Sequence, residues 1–352
     1  MAGYAARRLL LALPTLLGIS LLSFLILSVL PGDPVAARLE GGAPLSAEAE
    51  ARLRAELKLD RPALARYGDW LAAAARGDLG RSLRDGRPVA GIVGDALPWT
   101  ILLNLVAVAA LYTVALPLGL VQARRPRSPA ARFAGAGLVA VSVVPPFVAA
   151  LLLQAIVSVR LGWLPLEGTG RDAMPGGGPG ATLLRPAGLL PVAAHLVLPA
   201  ICLALAGWGF AARYARDAFA QALPGSAVAG ARARGLRGTA LLRHFAPTLA
   251  LPLVWLLGGL IPSLMAGSIV VEEAFSWPGA GRVMVQAVLG RDTPVAMALL
   301  LLSGMAVLAA QLLVDLIYPA LDPRLRERLP DLRDRTPAAG AGDRAQPAGG
   351  PA

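Results

Sequence analysis

Side chains able to do chemistry are few and widely separated in this sequence. Cys202 is the single cysteine, and His195 and His244 are the only histidines. A cysteine-based metal cluster is therefore excluded, and neither imidazole has a second ligand or a base partner near it in sequence. Lys58 is the single lysine and follows Leu57. A phosphate-cradling G-x-x-x-x-G-K-[ST] loop needs Gly at that place, so the chain carries none. Neither H-E-x-x-H nor G-x-S-x-G occurs, which removes the zinc-protease and serine-hydrolase arrangements. No catalytic residue, cofactor or metal site is expected. Two blocks keep a distinctive pattern: the acidic pair Glu272-Glu273 ahead of Phe275-Ser276-Trp277-Pro278-Gly279, and the run Ala231-Arg232-Ala233-Arg234-Gly235-Leu236.

The elements that must position these blocks are apolar. Hydrophobic residues make up 56% of the 352 and charged residues 16%, against roughly 25% charged in a soluble domain; the mean hydropathy is +0.62. Six stretches contain no Asp, Glu, Lys or Arg: 9–30, 97–123, 134–159, 191–212, 248–271 and 295–314. Each is long enough to cross a hydrocarbon layer of about 30 Å as a helix rising about 1.5 Å per residue. A soluble enzyme, a disordered chain and an outer-membrane barrel are excluded, since a barrel alternates in segments of about ten residues. The expectation is an all-α integral membrane protein with six spans. The first span follows Arg7-Arg8, exceeds a signal-peptide core of about 7–15 residues and ends in Pro31-Gly32-Asp33-Pro34 rather than a cleavage site, so it is read as retained.

Loop arginines give the orientation. With residues 1–8 inside, segments 124–133, 213–247 and 315–352 are also inside, and these four hold 18 Arg against seven acids, which accounts for the whole formal charge of +11. The short loop with Arg124, Arg125, Arg127 and Arg132 weighs most. Both termini are then cytoplasmic, in a bacterial plasma (inner) membrane. Segment 31–96 is a small extracytoplasmic segment with a helix expected over Ser46 to Ala74. Segment 160–190, Gly/Pro-rich around Met174-Pro175-Gly176-Gly177-Gly178-Pro179, reads as a flexible outer loop, and 329–352 as a disordered cytoplasmic tail. Prolines 14, 117, 145, 146, 199, 252 and 262 fall inside spans and are either packing irregularities or hinges; the adjacent pair Pro145-Pro146 leans toward function. Asn104, Gln154 and Gln311 are polar groups that bridge helices or line a pathway. Cys202 is a small apolar filler, His195 satisfies a hydrogen bond in the bundle, and His244 belongs to the basic loop.

In segment 213–247 small residues at 227, 229, 231 and 233 allow close approach of another backbone, and Gly235 permits a sharp turn between two short helices. Such an elbow either seats in a groove of a partner protein or is a basic linker held by anionic lipid. Glu272 and Glu273 read first as solvated acids at a helix end, given the cost of burying them; the other reading is an outer gate or a partner contact. The Phe275 to Gly279 block reads as a structured turn.

The order of residues adds to this. Ala231 to Leu236, followed by Leu251-Pro252, resembles the cytoplasmic coupling loop of permease subunits in ATP-binding-cassette importers. Pro31 to Pro34, Arg76-Gly77-Asp78-Leu79-Gly80-Arg81-Ser82, His195-Leu196-Val197-Leu198-Pro199, Glu272 to Arg282, Arg291-Asp292 and Asp322-Pro323-Arg324-Leu325-Arg326 follow in the order of that family's peptide and nickel permeases. The resemblance covers about residues 1–328; the Phe-Ser-Trp-Pro-Gly and Pro-Gly-Asp-Pro blocks are its most specific parts. The sequence departs from the loop pattern in lacking Glu over 219–247 and in the longer spacing from Gly235 to Pro252. The resemblance implies the type I importer permease fold, with the transmembrane domain over 97–328. It implies a second homologous permease, two ATPase subunits below, a solute-binding protein above, surrounding lipid and no nucleic acid. Residues 231–236 would form the ATPase-coupling loop, and Glu272, Glu273, Phe275, Trp277, Pro278 and Gly279 an outer gate or binding-protein contact. The implied cargo is short peptides, nickel or another small solute. A stand-alone secondary transporter is the rival; such carriers use ionisable residues within the membrane, and the six charge-free stretches have none.

Overall fold

The computed structural model describes residues 2–29, 61–170, 186–223 and 225–321. Pro31 to Pro34, Ser46 to Asp60, Met174 to Pro179, Asp322 to Arg326 and the tail 329–352 lie outside the described residues. Within them the chain is helical, with one isolated β-bridge between Arg81 and Pro88. The helices are α1 (Ala2–Val29), α2 (Ala63–Ala74), α3 (Val89–Arg124), α4 (Pro129–Ser142), α5 (Pro146–Leu153, continuing as a π-helix over Gln154–Arg160), α6 (Pro186–Ala222), α7 (Gly225–Ala233), α8 (Gly238–Ala274), α9 (Ala280–Leu289) and α10 (Thr293–Leu321). Of the helix expected over Ser46 to Ala74, the described part begins at Ala63 behind Pro62.

Five of these helices are long and apolar enough to cross a membrane: Leu10–Val29, Val89–Arg124, Leu190–Ala222, Pro252–Ala274 and Thr293–Ile317. The third span, expected over 134–159 with Pro145-Pro146 as a disturbance within it, is two helices bent by 104°. Pro145 and Pro146 supply the cause. Neither has an N–H to donate, and Pro145 takes an extended conformation (ψ 141°). Ahead of the break, Val143 and Val144 donate to Ala140 and Val141, three residues back, closing α4 with a tighter turn. The other helices run past their charge-free cores: α6 extends to Ala222 and α8 begins at Gly238, so most of 213–247 is helix rather than loop.

Packing follows a small-residue rule. Along α3 the buried positions Leu103, Ala107, Leu111, Ala115 and Gly119 recur every fourth residue, one face of a 3.6-residue helix. The opposite stripe, including Ile101 and Leu105, is exposed, as suits contact with lipid. In lipid, helices associate by close van der Waals fit rather than by escape from water, and α6 approaches where α3 is smallest. A Cβ added at Gly119 would meet Ala215 Cβ at 2.7 Å and Arg216 N at 2.9 Å. Gly209 of α6 plays the same part against α4, and its N–H donates to Ser142 Oγ at 2.8 Å. Tyr112 Oη–H donates to Leu253 O (2.8 Å), tying α3 to α8, and α1 is held against α10 by the ion pair Arg8–Asp315 at 3.0 Å.

These contacts predict opposite effects for one substitution at two helical glycines. Gly119→Ala should destabilise the purified protein by about 1–3 kcal/mol through overpacking. Gly137→Ala, whose added Cβ meets nothing within 4 Å, should stabilise it by about 0.5–1 kcal/mol. Thermal unfolding in detergent reads both; equal shifts at the two sites would contradict the close α3–α6 approach.

Candidate functional site

The acidic and aromatic block stands at the end of α8, where helix geometry leaves carbonyls without internal partners. Each of the last ones has a partner here. Val271 O accepts from Phe275 N (3.0 Å), Glu273 O from Ser276 N (3.2 Å) and Glu272 O from Trp277 N (2.8 Å). Ala274 O accepts from Gln154 Nε2 at 2.9 Å. Phe275 O accepts from Gly168 N at 2.9 Å. The six-to-one bond from Trp277 marks a Schellman stop, whose left-handed position usually takes Gly. Here it is Ser276, with φ 53°, and the Ser276 hydroxyl donates to Glu167 Oε2 at 2.8 Å.

Inside this turn lies Glu272, completely buried. Its Oε1 accepts from the Thr100 hydroxyl of α3 at 2.7 Å. Its Oε2 accepts from Arg282 N at 3.1 Å, on α9. Thr100 Oγ1 in turn accepts from Ala280 N at 2.8 Å. One carboxyl therefore joins α3, α8 and the start of α9. At Gly279 the Glu272 carboxyl fills the space a side chain would need, and at Gly281 Ile269 Cα (2.8 Å) and Glu272 Oε2 (2.9 Å) share in filling it. Trp277 is fully buried beside Trp99, ring edge to ring face at 5.3 Å, with its indole N–H donating to Trp99 O at 3.0 Å. Phe275 is buried with them.

The reading of Glu272 as a solvated helix end is thus corrected: the helix runs on to Ala274 and closes over it. The expectation that the spans hold no ionisable residue is corrected with it, since Pro252–Ala274 contains Glu272. Glu273 does stand in solvent, 47% exposed, with Arg282 Nε 3.9 Å away. Of this pair only Glu272 is buried, and the Thr100 hydroxyl and the Arg282 N–H converge on it.

A second junction lies beside the first. Asp292, buried between α9 and α10, accepts from the Ser82 hydroxyl and from Leu83 N (3.1 Å). The two short motifs containing Ser82 and Asp292, far apart in sequence, are therefore one contact. The loop carrying Ser82 is closed by Val89 N to Gly80 O (3.0 Å) and Ser82 N to Arg87 O (2.9 Å). In it the Arg87 backbone N–H, then the Ser82 hydroxyl and the Arg87 charge, hold the Asp85 carboxyl below its usual range against a smaller opposing effect of burial. Arg291, before Asp292, is left-handed (φ 55°).

At the other end of α8 is the elbow. Helix α7 ends in a Schellman turn: Leu236 N donates to Ala231 O (3.1 Å) and Gly235 N to Arg232 O (2.9 Å), with Gly235 at φ 83°. Ala231 is buried with Leu241 and Phe245, and Leu236 packs against them. Arg232, Ala233, Arg234 and Arg237 are exposed. The structure therefore gathers 231–236 at one end of α8 and 272–279 at the other.

Residues outside the expected set complete these two junctions: Trp99, Thr100 and Gln154 at the end of α8, and Ser82 with Asp292 in the second. Gln154 was expected to bridge helices and does. His195 Nδ1 bonds Pro191 O at 2.8 Å, one turn back in its own helix, and Cys202 is buried with its thiol 3.4 Å from Pro146 O. His244 is exposed, its ring packed edge-on against Phe245. Asn104 bonds within its own helix to Thr100 O (2.9 Å).

A family model described as "Binding-protein-dependent transport system inner membrane component" matches residues 115–327, which spans α4 to α10. The chain belongs to this family. The permease is 34% identical over 332 residues to the oligopeptide transport system permease protein AppB of Bacillus subtilis, covering 92% of this chain and 99% of that one. It is 33% identical over 331 residues to the glutathione transport system permease protein GsiC of Escherichia coli, covering 93% and 99%. It is thus a permease subunit of the peptide group of ATP-binding-cassette importers: a multi-pass inner-membrane protein with the type I permease fold, working with a binding protein.

The Glu272 junction yields a direct prediction for this permease. Glu272→Ala strands the Thr100 hydroxyl and the Arg282 N–H in a buried site and should cost about 3 kcal/mol or more. Glu273→Ala, in solvent, should stay within about 0.5 kcal/mol of the parent. Thermal unfolding of the two purified variants checks this; equal losses would show that the buried carboxyl is not the joint described.

Proposed function

We propose that the permease forms half of a translocation pathway for short peptides, completed by a second homologous permease. A solute-binding protein delivers cargo at the outer junction, and two ATPase subunits drive transport through the elbow 231–236. The named relatives support peptide cargo. Both termini lie in the cytoplasm on this reading, supported by the arginine-rich segments and by Arg8 and Asp315 meeting at one end of α1 and α10.

The observation that carries the reading is α8 itself. One helix of 37 residues, about 55 Å long at about 1.5 Å per residue, has the elbow at its base and the Glu272 junction at its tip. An ATPase closing on the exposed arginine side of α7 displaces the base of α8 as a rigid element. The tip is bonded to α3 and α9, so the displacement reaches the outer surface. The prolines at 247, 252 and 262 within α8 are where it bends. Glu272, Phe275, Trp277, Pro278 and Gly279 set the shape of the outer gate, and Glu273 is the member of the set that faces a docking partner.

Gly235→Val tests the coupling. A β-branched residue in the left-handed region costs about 1–2 kcal/mol or more, so the elbow should be reshaped while the spans insert normally. ATP-driven peptide uptake should fall by roughly tenfold with membrane levels and pairing to the second permease retained; unchanged uptake would remove the elbow from the mechanism. Orientation is tested with Arg125→Cys, since the native Cys202 is buried and gives little background. A membrane-impermeant maleimide should modify this variant only in inside-out vesicles; modification in intact cells would invert the topology.

A further inference from the structure

A crevice of about 530 Å³ opens between the α3–α4 connection and the last turns of α6. Its rim carries Arg125, Arg132, Arg213 and Arg216. Asp217 is the one acid there, and it is committed to Arg216 at 2.8 Å. Among the described residues Arg125, Arg132 and Arg213 have no acidic partner. Their positions are set by the backbone: Arg125 caps α3, donating N–H to Val121 O at 2.8 Å, and Arg132 lies in the first turn of α4. Ser128 turns the chain between them as the N-cap of α4. Arg213 and Arg216 are three apart and so share a face of α6.

Behind this rim the floor is apolar: Ala136 and Val139 of α4, Gly209 and Ala212 of α6. It continues into the charge-free stretches 134–159 and 191–212, at the depth of the hydrocarbon. Phe133 of α4 and Val143, the residue that caps it, are 79% and 77% exposed, apolar surface matched to acyl chains rather than water.

We infer that this crevice is a binding site for an anionic phospholipid, its phosphate held among Arg125, Arg132 and Arg213 and its acyl chains laid along Ala136 and Val139. Arginine suits a phosphate diester because its planar fork donates two parallel bonds to two oxygens. A soluble phosphate would use the rim alone; the floor selects the lipid. Anionic lipid collects against basic groups at the cytoplasmic leaflet, and each added charge strengthens the hold. The site shares no residue with the elbow 231–236, so it stands or falls apart from the coupling reading.

Native mass spectrometry of the assembled transporter, purified from vesicles of phosphatidylcholine and phosphatidylglycerol, tests the site. The triple variant Arg125→Gln, Arg132→Gln, Arg213→Gln should retain phosphatidylglycerol about tenfold to a hundredfold less well than the parent. A control of equal charge change far from the crevice, Arg76→Gln, Arg84→Gln, Arg160→Gln, should retain it fully. Ala136→Phe, at an exposed position of α4, fills the floor without touching the arginines and should also release the lipid. Equal retention in the triple variant and the control would overturn the proposal. Displacement of the lipid by inorganic phosphate would overturn it too, by showing that the floor contributes nothing. Loss of the ATPase subunits with lipid retained would reassign the rim to a protein contact.

Discussion

A buried backbone N–H or C=O must find a partner inside the protein, and the end of α8 shows how the chain meets this constraint. A helix has to stop there, and stopping exposes carbonyls. The chain meets the demand with donors from three places: its own Schellman turn, Gln154 of the π-helical segment and Gly168 of the following loop. The buried Glu272 carboxyl in turn accepts from the Thr100 hydroxyl and Arg282 N. The outcome is a fixed junction rather than a frayed end. Its cost shows in Ser276, a non-glycine residue held at positive φ by a bond to Glu167.

The same accounting applies to both ends of α8. Beyond its C-terminal end, two buried carboxyl groups, Glu272 and Asp292, bind segments that are distant in the chain. At its N-terminal end, the α6–α8 connection rests on a small apolar cluster of Ala231, Leu241 and Phe245, with Arg232, Arg234 and Arg237 exposed. A surface that leaves its charges unpaired is one that a partner or a lipid headgroup can take up. The helix α8 runs between these two ends.

Much of this was legible in the sequence because charge is so unevenly spread. Spans appear wherever Arg, Asp, Glu and Lys are missing, and the elbow shows through its Ala, Arg and Gly order. Pro145-Pro146 announced a disturbance but not a 104° bend, since the angle depends on what α4 and α5 pack against. The burial of Glu272 was hidden for a different reason. Two adjacent acids look alike in sequence, and only the fold decides which one meets Thr100, 172 residues earlier in the chain. Ser82 and Asp292 are separated by 210 residues, so no local pattern could pair them. The left-handed Ser276 and Arg291 carry no glycine signal either; tertiary bonds, not propensity, place them there.

On the function proposed above, this membrane bundle is driven by separate ATPase subunits. Reconstitution into sealed vesicles, with radiolabelled short peptide presented on the binding-protein side, addresses this most directly. The account predicts no accumulation by the permease alone or with the binding protein, and ATP-dependent accumulation once the second permease and the ATPase subunits are added. Peptide uptake by the permease alone, without a nucleotide-hydrolysing partner, would contradict it.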